Sequence, residues 1–258
     1  MSVDSWTGVT LTSLASAFLI SCGQTPQSSQ EEADSATPFL VNTASPAVAK
    51  YRASLLSEAV DAAPLAGSQG WVQASTKWPS PKIPVCWMDM SPTFAKERGW
   101  VEDALQKSWE AASAVDFTGF GQCSAGAAGI HAVVADAGAR TIGLGKELDK
   151  VPNGLRLNFS YNSWNAWCKA DEATRESCIR SNAVHEFGHA LGFVHEQNRH
   201  DTPTSCTADH QGSDGDLILT PWDPKSVMNY CNTARMLEGG KLSDGDKSAV
   251  EQFYGNEI

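Results

Sequence analysis

Residues 185–195 read HEFGHALGFVH, and no other stretch of the chain restricts the local fold as tightly. On a helix, His185 and His189 are four residues apart, so both imidazoles leave the same face one turn apart and can share a metal ion. Glu186 lies about 100° further round, within reach of a water on that metal without having to ligate it. Gly192 can take the left-handed conformation that ends a helix, which lets the chain turn sharply and swing His195 back as a third ligand. Three neutral imidazoles with an open fourth position are the pattern of a catalytic rather than a structural zinc site. HExxH alone arises by chance in about 1% of shuffled chains of this composition, and adding Gly192 and His195 lowers that to roughly 1 in 10⁵, so the pattern is chemical rather than accidental. His131 in a predicted strand, and His200 and His210 in predicted loops, have no partner at ligand spacing and read as ordinary structural residues.

The chain has 258 residues, 41% hydrophobic, which allows one full-sized domain with attachments. A net charge of −11 repels phosphate backbones, so nucleic acid is not an expected partner. The apolar run over residues 9–20 is too short to span a bilayer and reads as the core of a signal peptide over residues 1–22. Leu19-Ile20-Ser21-Cys22 resembles the lipobox of bacterial lipoproteins, which implies a lipid anchor through Cys22. Residues 2–8 carry Asp4 and no Lys or Arg, and an N-terminal tail is the alternative reading. With export, the six other cysteines favour three disulfides. Six cysteines allow 15 pairings, and sequence alone does not choose among them. Nearest-neighbour pairing is the expectation: Cys86 with Cys123, Cys168 with Cys178, Cys206 with Cys231.

Residues 23–47 are rich in Ser, Thr, Gln and Pro and read as a tether, with an amphipathic helix expected over 48–63 as a pro-segment remnant or docking helix. The folded domain starts between Trp71 and Trp78, and we assign residues 23–76 to the tether and possible pro-segment and 77–258 to a catalytic domain. Strands are predicted over 83–88, 115–117, 130–135, 141–144 and 155–161. Ser91-Pro92 opens a helix with a stripe at Trp100, Ala104, Leu105, Trp109 and Ala112, disturbed at Gly99. Ser243 with Asp246 resembles a capping box for a terminal helix that buries Val250 and Phe253. Asp214 and Asp216 read as turn residues in preference to a calcium loop. Strands around a long early helix, followed by helix-dominated sequence, argue for a mixed α/β layer on a sheet.

HExxHxxGxxH followed by Ser226-Val227-Met228-Asn229-Tyr230 resembles the metzincin signature and its Met-containing turn. His195-Glu196-Gln197-Asn198-Arg199-His200-Asp201 is similar to the HEQxRxD extension of astacins. Lys77-Trp78-Pro79, Ile83-Pro84, Asp223 and Leu242-Ser243-Asp244 fit the same family, so the resemblance covers about residues 77–254. Asn229 stands where astacins usually have His, and Thr202-Pro203 where they have a second Arg-Asp pair, which points to a bacterial astacin-like branch.

The resemblance implies an α+β zincin or metzincin fold: a twisted, mostly parallel five-stranded sheet with an antiparallel edge strand, a long early helix, an active-site helix, and an irregular C-terminal subdomain ending in a helix. It implies a monomeric zinc metalloendopeptidase with one catalytic Zn²⁺ on His185, His189 and His195. Glu186 would be the general base on the metal-bound water, Met228 a hydrophobic base beneath the ligands, and Tyr230 a swinging ligand that later meets the oxyanion. The substrate would be a protein or peptide, paired with an edge strand near residues 141–144. Glu196 in astacins anchors the terminus made by pro-segment removal, a role that does not exist if residues 23–76 stay attached. The protein would be exported, as an outer-membrane lipoprotein or a periplasmic or secreted protein. The competing readings are a binding module with a structural zinc and a zinc hydrolase of non-peptide amides.

Overall fold

A computed structural model describes residues 70–256. The expected signal peptide, Cys22, the tether over 23–47 and the helix over 48–63 lie outside the described residues. Among the described residues there are seven strands: β1 (Trp71–Val72), β2 (Lys82–Trp87), β3 (Asp116–Gln122), β4 (Ile130–Val134), β5 (Arg140–Thr141), β6 (Leu155–Leu157) and β7 (Leu217–Ile218). The described residues also form α1 (Ala95–Leu105), α2 (Glu172–Ala190) and α3 (Asp244–Tyr254). The main sheet runs β3-β2-β4-β6-β5, parallel throughout except for β5, which lies antiparallel to β6 at one edge. β1 and β7 form a separate antiparallel pair. Among the described residues no helix is long and apolar enough to cross a membrane.

Burial of one face explains the alternating apolar residues of the central strands. Ile83, Val85 and Trp87 of β2 and Ile130 and Ala132 of β4 are buried, as are Leu155 and Leu157 of β6. Pro84, which has no ladder N–H to give, is tolerated in β2 because β4 pairs only from Val85 onward. α1 follows the predicted stripe, with Trp100, Val101, Ala104 and Leu105 buried, and a π turn over Gln106–Glu110 places Trp109 in the core. The helix runs through Gly99 without a break. Trp109 Nε1 donates to Val184 O at 2.8 Å, tying this element to α2.

Two strands end earlier than their sequence suggests, for local reasons. The strand expected over 141–144 stops at Thr141, because the Glu147 carboxylate takes the Leu144 N–H at 3.0 Å and a 3₁₀ turn begins at Gly145. The strand expected over 155–161 stops at Leu157, because Asn158 Oδ1 takes the N–H groups of Ser160 and Tyr161. The domain also reaches N-terminal of Lys77: Trp71 and Val72 are buried, and Val72 pairs with Phe193 as well as Leu217. α3 starts at the predicted capping box, with Ser243 and Asp246 each bonding the other's backbone N–H.

All three expected disulfides form. Cys86–Cys123 ties β2 to the end of β3, and Cys168–Cys178 ties α2 to the turn before it. Cys206–Cys231 ties the loop after the third histidine to the residue after Tyr230.

Candidate metal centre

α2 is the element on which the site is built. Asp171 caps its start, accepting the Thr174 N–H at 2.8 Å, and the helix is buried from Ser181 onward. Its C-terminal carbonyls end inside the protein and need donors there. Trp78 Nε1 supplies one to Ala190 O at 2.7 Å, and the Tyr254 hydroxyl another to Leu191 O at 2.8 Å. Gly192 then takes φ +99, and a Cβ at that position would stand 2.9 Å from Thr76 Oγ1. The returning strand is fastened to β1: Gln73 N donates to Gly192 O at 2.9 Å and Val194 N to Trp71 O at 3.1 Å. Glu196 N donates to Met228 O at 2.9 Å, which sets the turn around Met228 against the third histidine.

This path brings His185, His189 and His195 together, each with one ligand nitrogen within 4.8 Å of the others. Every Nδ1 faces a backbone carbonyl: His185 meets Val227 O at 2.7 Å, His189 meets Phe193 O at 2.8 Å and His195 meets Gln211 O at 2.9 Å. A carbonyl only accepts, so each Nδ1 carries the proton and each Nε2 presents a bare lone pair. Those Nε2 atoms converge, with that of His195 3.2 Å from His185 and 3.1 Å from His189. Lone pairs that close repel unless a cation sits among them. Zinc with Zn–N bonds of about 2.0–2.1 Å in tetrahedral geometry spaces its nitrogens by about 3.3 Å, so the three residues fit the ion.

Electrostatics agree with that tautomer. Burial pushes all three imidazoles toward the neutral form, His189 to about 4 and His185 and His195 well below their ordinary value. For His185 the Arg235 charge adds to the effect. Neutral imidazoles are what a metal needs, so protons compete weakly for these nitrogens.

Glu186 is 4% exposed and follows His185 on α2. Tyr230 lies against two of the three histidines, its ring stacked on His185 at 5.4 Å and tilted to His195 at 4.5 Å. Met228 is buried beneath α2, where a Cβ on Gly188 would stand 3.2 Å from its Cε. Glu196 is also buried; it accepts the Asp223 N–H at 2.9 Å and pairs with Arg199 at 3.1 Å. Burial raises its carboxyl to about 8, against the pull of Arg199.

The other candidates stand apart from this centre. His210 makes an exposed pair with Asp214, and Asp216 accepts the Ala74 N–H at 2.6 Å, which are turn and docking roles. His131 lies with Cys86 and Cys123 within 4.8 Å, but both sulfurs are joined in the disulfide. Sequence reasoning missed Asp246 and Arg235. Asp246 is buried under the Met228 turn and accepts from Ser226 Oγ at 2.6 Å and Val227 N at 3.0 Å. Its place in the capping-box pattern marks it as a helix start, and nothing in its spacing reveals this second task. Arg235 sits over the Tyr230 ring at 4.6 Å and carries no sequence signal at all.

No protein-family model and no curated protein matches the chain. Among solved structures, the structure of myroilysin is similar at 19% identity, covering 73% of this chain and 100% of that one, with a TM-score of 0.50. High choriolytic enzyme 1, a hatching enzyme zinc-protease from Oryzias latipes (medaka fish), is 17% identical over 74% of this chain and 100% of its own, with a TM-score of 0.48. At 19% identity the likeness to myroilysin establishes a shared fold, in agreement with the mostly parallel five-stranded sheet, antiparallel edge strand and terminal helix expected from the sequence.

Proposed function

We propose that this chain is a zinc-dependent metalloendopeptidase that hydrolyses peptide bonds of protein substrates. His185, His189 and His195 hold one metal ion, Glu186 is the general base and Tyr230 the partner of the oxyanion. The observation that carries this reading is the convergence of three bare Nε2 atoms, each fixed in tautomer by a carbonyl on its Nδ1, beside a buried carboxylate on the same helix. A zinc ion held there supplies Lewis acidity and lowers the pKa of a bound water toward roughly 7.

The chain's own groups do the rest. Glu186 accepts the proton of the attacking water and passes it to the leaving amine. Its burial keeps bulk water from competing for that proton. The hydroxyl of Tyr230 donates to the carbonyl oxygen as charge builds on it, a type of contribution worth about 3–4 kcal/mol where one donor has been removed in other hydrolases. An extended substrate adds to the free edge of β5, where backbone hydrogen bonds set its register. Three disulfides suit an oxidising compartment, in line with export and a lipid anchor through Cys22, with residues 77–258 as the core of the catalytic unit.

Glu186→Ala separates this reading from a structural zinc site. The variant is expected to keep one zinc per chain and the same melting temperature while losing turnover of a proteome-derived peptide mixture. Turnover equal to wild type would remove the assignment of Glu186, and cleavage that survives a chelator would remove the metal mechanism.

A further inference from the structure

We propose that Arg235 is a positioning residue that clamps the Tyr230 ring against His185 and His195, and that two serines of α2 hold this clamp in register with the metal ligands. Only its effect on turnover rests on the role of Tyr230 proposed above.

Ser177, Ser181, His185 and His189 follow one another at intervals of four and form one stripe along α2. The second half of the stripe holds the metal. The first half holds a 3₁₀ turn, Arg235–Leu237: Ser181 Oγ donates to Arg235 O at 2.8 Å and Ser177 Oγ to Met236 O at 2.9 Å. Both bonds fix backbone atoms, so the height of the turn along the helix is set one helical turn away from His185. From that position the guanidinium carbon of Arg235 lies 4.6 Å from the centre of the Tyr230 ring, the ring that also meets His185 and His195.

Two further observations single out the side chain of Tyr230 as the part that Arg235 controls. The Tyr230 backbone is already fixed, because its N–H donates to Gln197 Oε1 at 3.1 Å and the next residue is cross-linked to Cys206. What Arg235 meets is the ring. Arg235 Nη1 is buried and makes no hydrogen bond among the described residues, so the face of the Tyr230 ring is an attraction that offsets the burial of this charge. A cation held over one aromatic ring, on a turn bolted to the ligand helix, therefore biases that ring toward the metal centre.

Tyrosine labelled with ¹³C in the full chain tests the clamp. The chain has four tyrosines, and Tyr230→Phe identifies the signal of interest. In Arg235→Met, the Tyr230 signal is expected to lose most of the displacement caused by the neighbouring imidazole rings, while those of Tyr161 and Tyr254 stay put and report an intact fold. In the same variant kcat is expected to fall about tenfold with KM changed less than about twofold, the size a partly desolvated cation–π contact can supply. Arg235→Lys keeps a cation over the ring and is expected to recover most of both. Should Arg235→Met fail to fold, Ser181→Ala loosens the turn without removing the charge, and a smaller displacement in the same direction is expected. An unmoved Tyr230 signal in a folded Arg235→Met or Ser181→Ala chain overturns the clamp, as does a Lys variant no better than Met. Full kcat in Tyr230→Phe would instead end the proposed catalytic role of Tyr230, with the signal of Arg235→Met still deciding the clamp.

Discussion

Within HEFGH, Gly188 packs against Met228 and Trp109, and Gly188→Ala tests how the site is packed from below. A Cβ at this position would overlap Met228 Sδ and stand 3.1 Å from Trp109 Cζ2 and 3.2 Å from Met228 Cε. Helix propensity alone favours the change by about 0.8–1 kcal/mol. Against it stands overpacking, which costs about 1–3 kcal/mol in a filled core. The neighbours decide between them. The Trp109 indole cannot retreat, because its Nε1 is bonded to Val184 O and its ring is stacked on Phe193 at 5.2 Å. The Met228 thioether is adaptable, yet its backbone is held at both ends, by Ser226 Oγ at 3.0 Å and by the Glu196 N–H at 2.9 Å. Overpacking therefore wins by about 1 kcal/mol, or a melting temperature lower by about 2–4 °C for a domain of this size. The residue before Met228 holds His185 Nδ1 through its carbonyl at 2.7 Å, so a displaced turn is also expected to weaken zinc binding by about tenfold. Calorimetry on the metal-free chain and zinc competition with a chelator measure the two effects. In a double-mutant cycle with Met228→Ala, the new methyl fills part of the vacated space, giving a favourable coupling of about 1 kcal/mol or more. Gly188→Ala more stable than wild type with zinc affinity unchanged, or strict additivity in the cycle, would refute this account of the packing.

Three further outcomes are expected. Burial raises the Asp246 carboxyl to about 6, so the folded chain holds that proton more tightly than the unfolded one; the stabilisation is complete below the ordinary carboxylate pKa and is lost as pH rises through about 6. Asn does not titrate, so the stability of wild type relative to Asp246→Asn should fall between pH 4 and 7 by on the order of 2–3 kcal/mol in urea titrations, and a gap that ignores pH would disprove it. Arg199 has a fully buried side chain paired to Glu196 and Asp201, and Arg199→Met leaves Glu196 without its countercharge wherever it is ionised; the cost is expected to be about 3–5 kcal/mol in the same assay above pH 8, and smaller at pH 6, where the raised carboxyl is protonated. A loss under about 1 kcal/mol would show that Glu196 is not held as a charged partner. Replacing Cys168 and Cys178 by Ala opens a link across 10 residues of chain and should lower stability by about 3 kcal/mol, with zinc affinity as the control for local damage to α2.

What the sequence made legible was local. The 185–195 motif specified a helix, a left-handed break and a return, and all three are present because each depends on residues within about one turn of the next. α1 and α3 were readable for the same reason, through a proline-led start in one and a reciprocal cap in the other. The mostly parallel sheet came from resemblance, since sequence spacing says nothing about which strand lies beside which. Strand ends misled where one polar side chain outcompeted the ladder, as Glu147 does at Leu144 and Asn158 at Tyr161. The partners of the site were the least legible. Val227 and Gln211 hold the ligand histidines with backbone carbonyls, which any residue could offer. Asp246 and Arg235 reach the site from 40 or more residues beyond the motif.

The departures from the astacin pattern can be read in the same physical terms. Asn229 stands where those proteins usually have His, and it is fully buried; its Nδ2 donates to Asp223 O at 2.8 Å and its Oδ1 accepts the Cys231 N–H at 2.9 Å. Asn232 repeats the device, with Nδ2 on Lys225 O at 2.9 Å and Oδ1 on the Ala234 N–H at 3.2 Å. An amide carries donor and acceptor on adjacent atoms and can close a turn on itself, which a neutral imidazole, with its two nitrogens across the ring, does less compactly. Thr202 stands where a second Arg would be, and its hydroxyl meets Glu196 O and Gln197 O at 3.3 and 3.2 Å. The charge network thus contracts onto Arg199, which meets Asp201 with two nitrogens and Glu196 with one. Both departures replace one way of bracing the backbone with another and leave the three Nε2 atoms where they converge. The pressure of the chemistry falls on the ligand nitrogens and on the donors and acceptors behind them, and the residues that brace those donors are free to differ so long as the turn around Met228 keeps its place under α2.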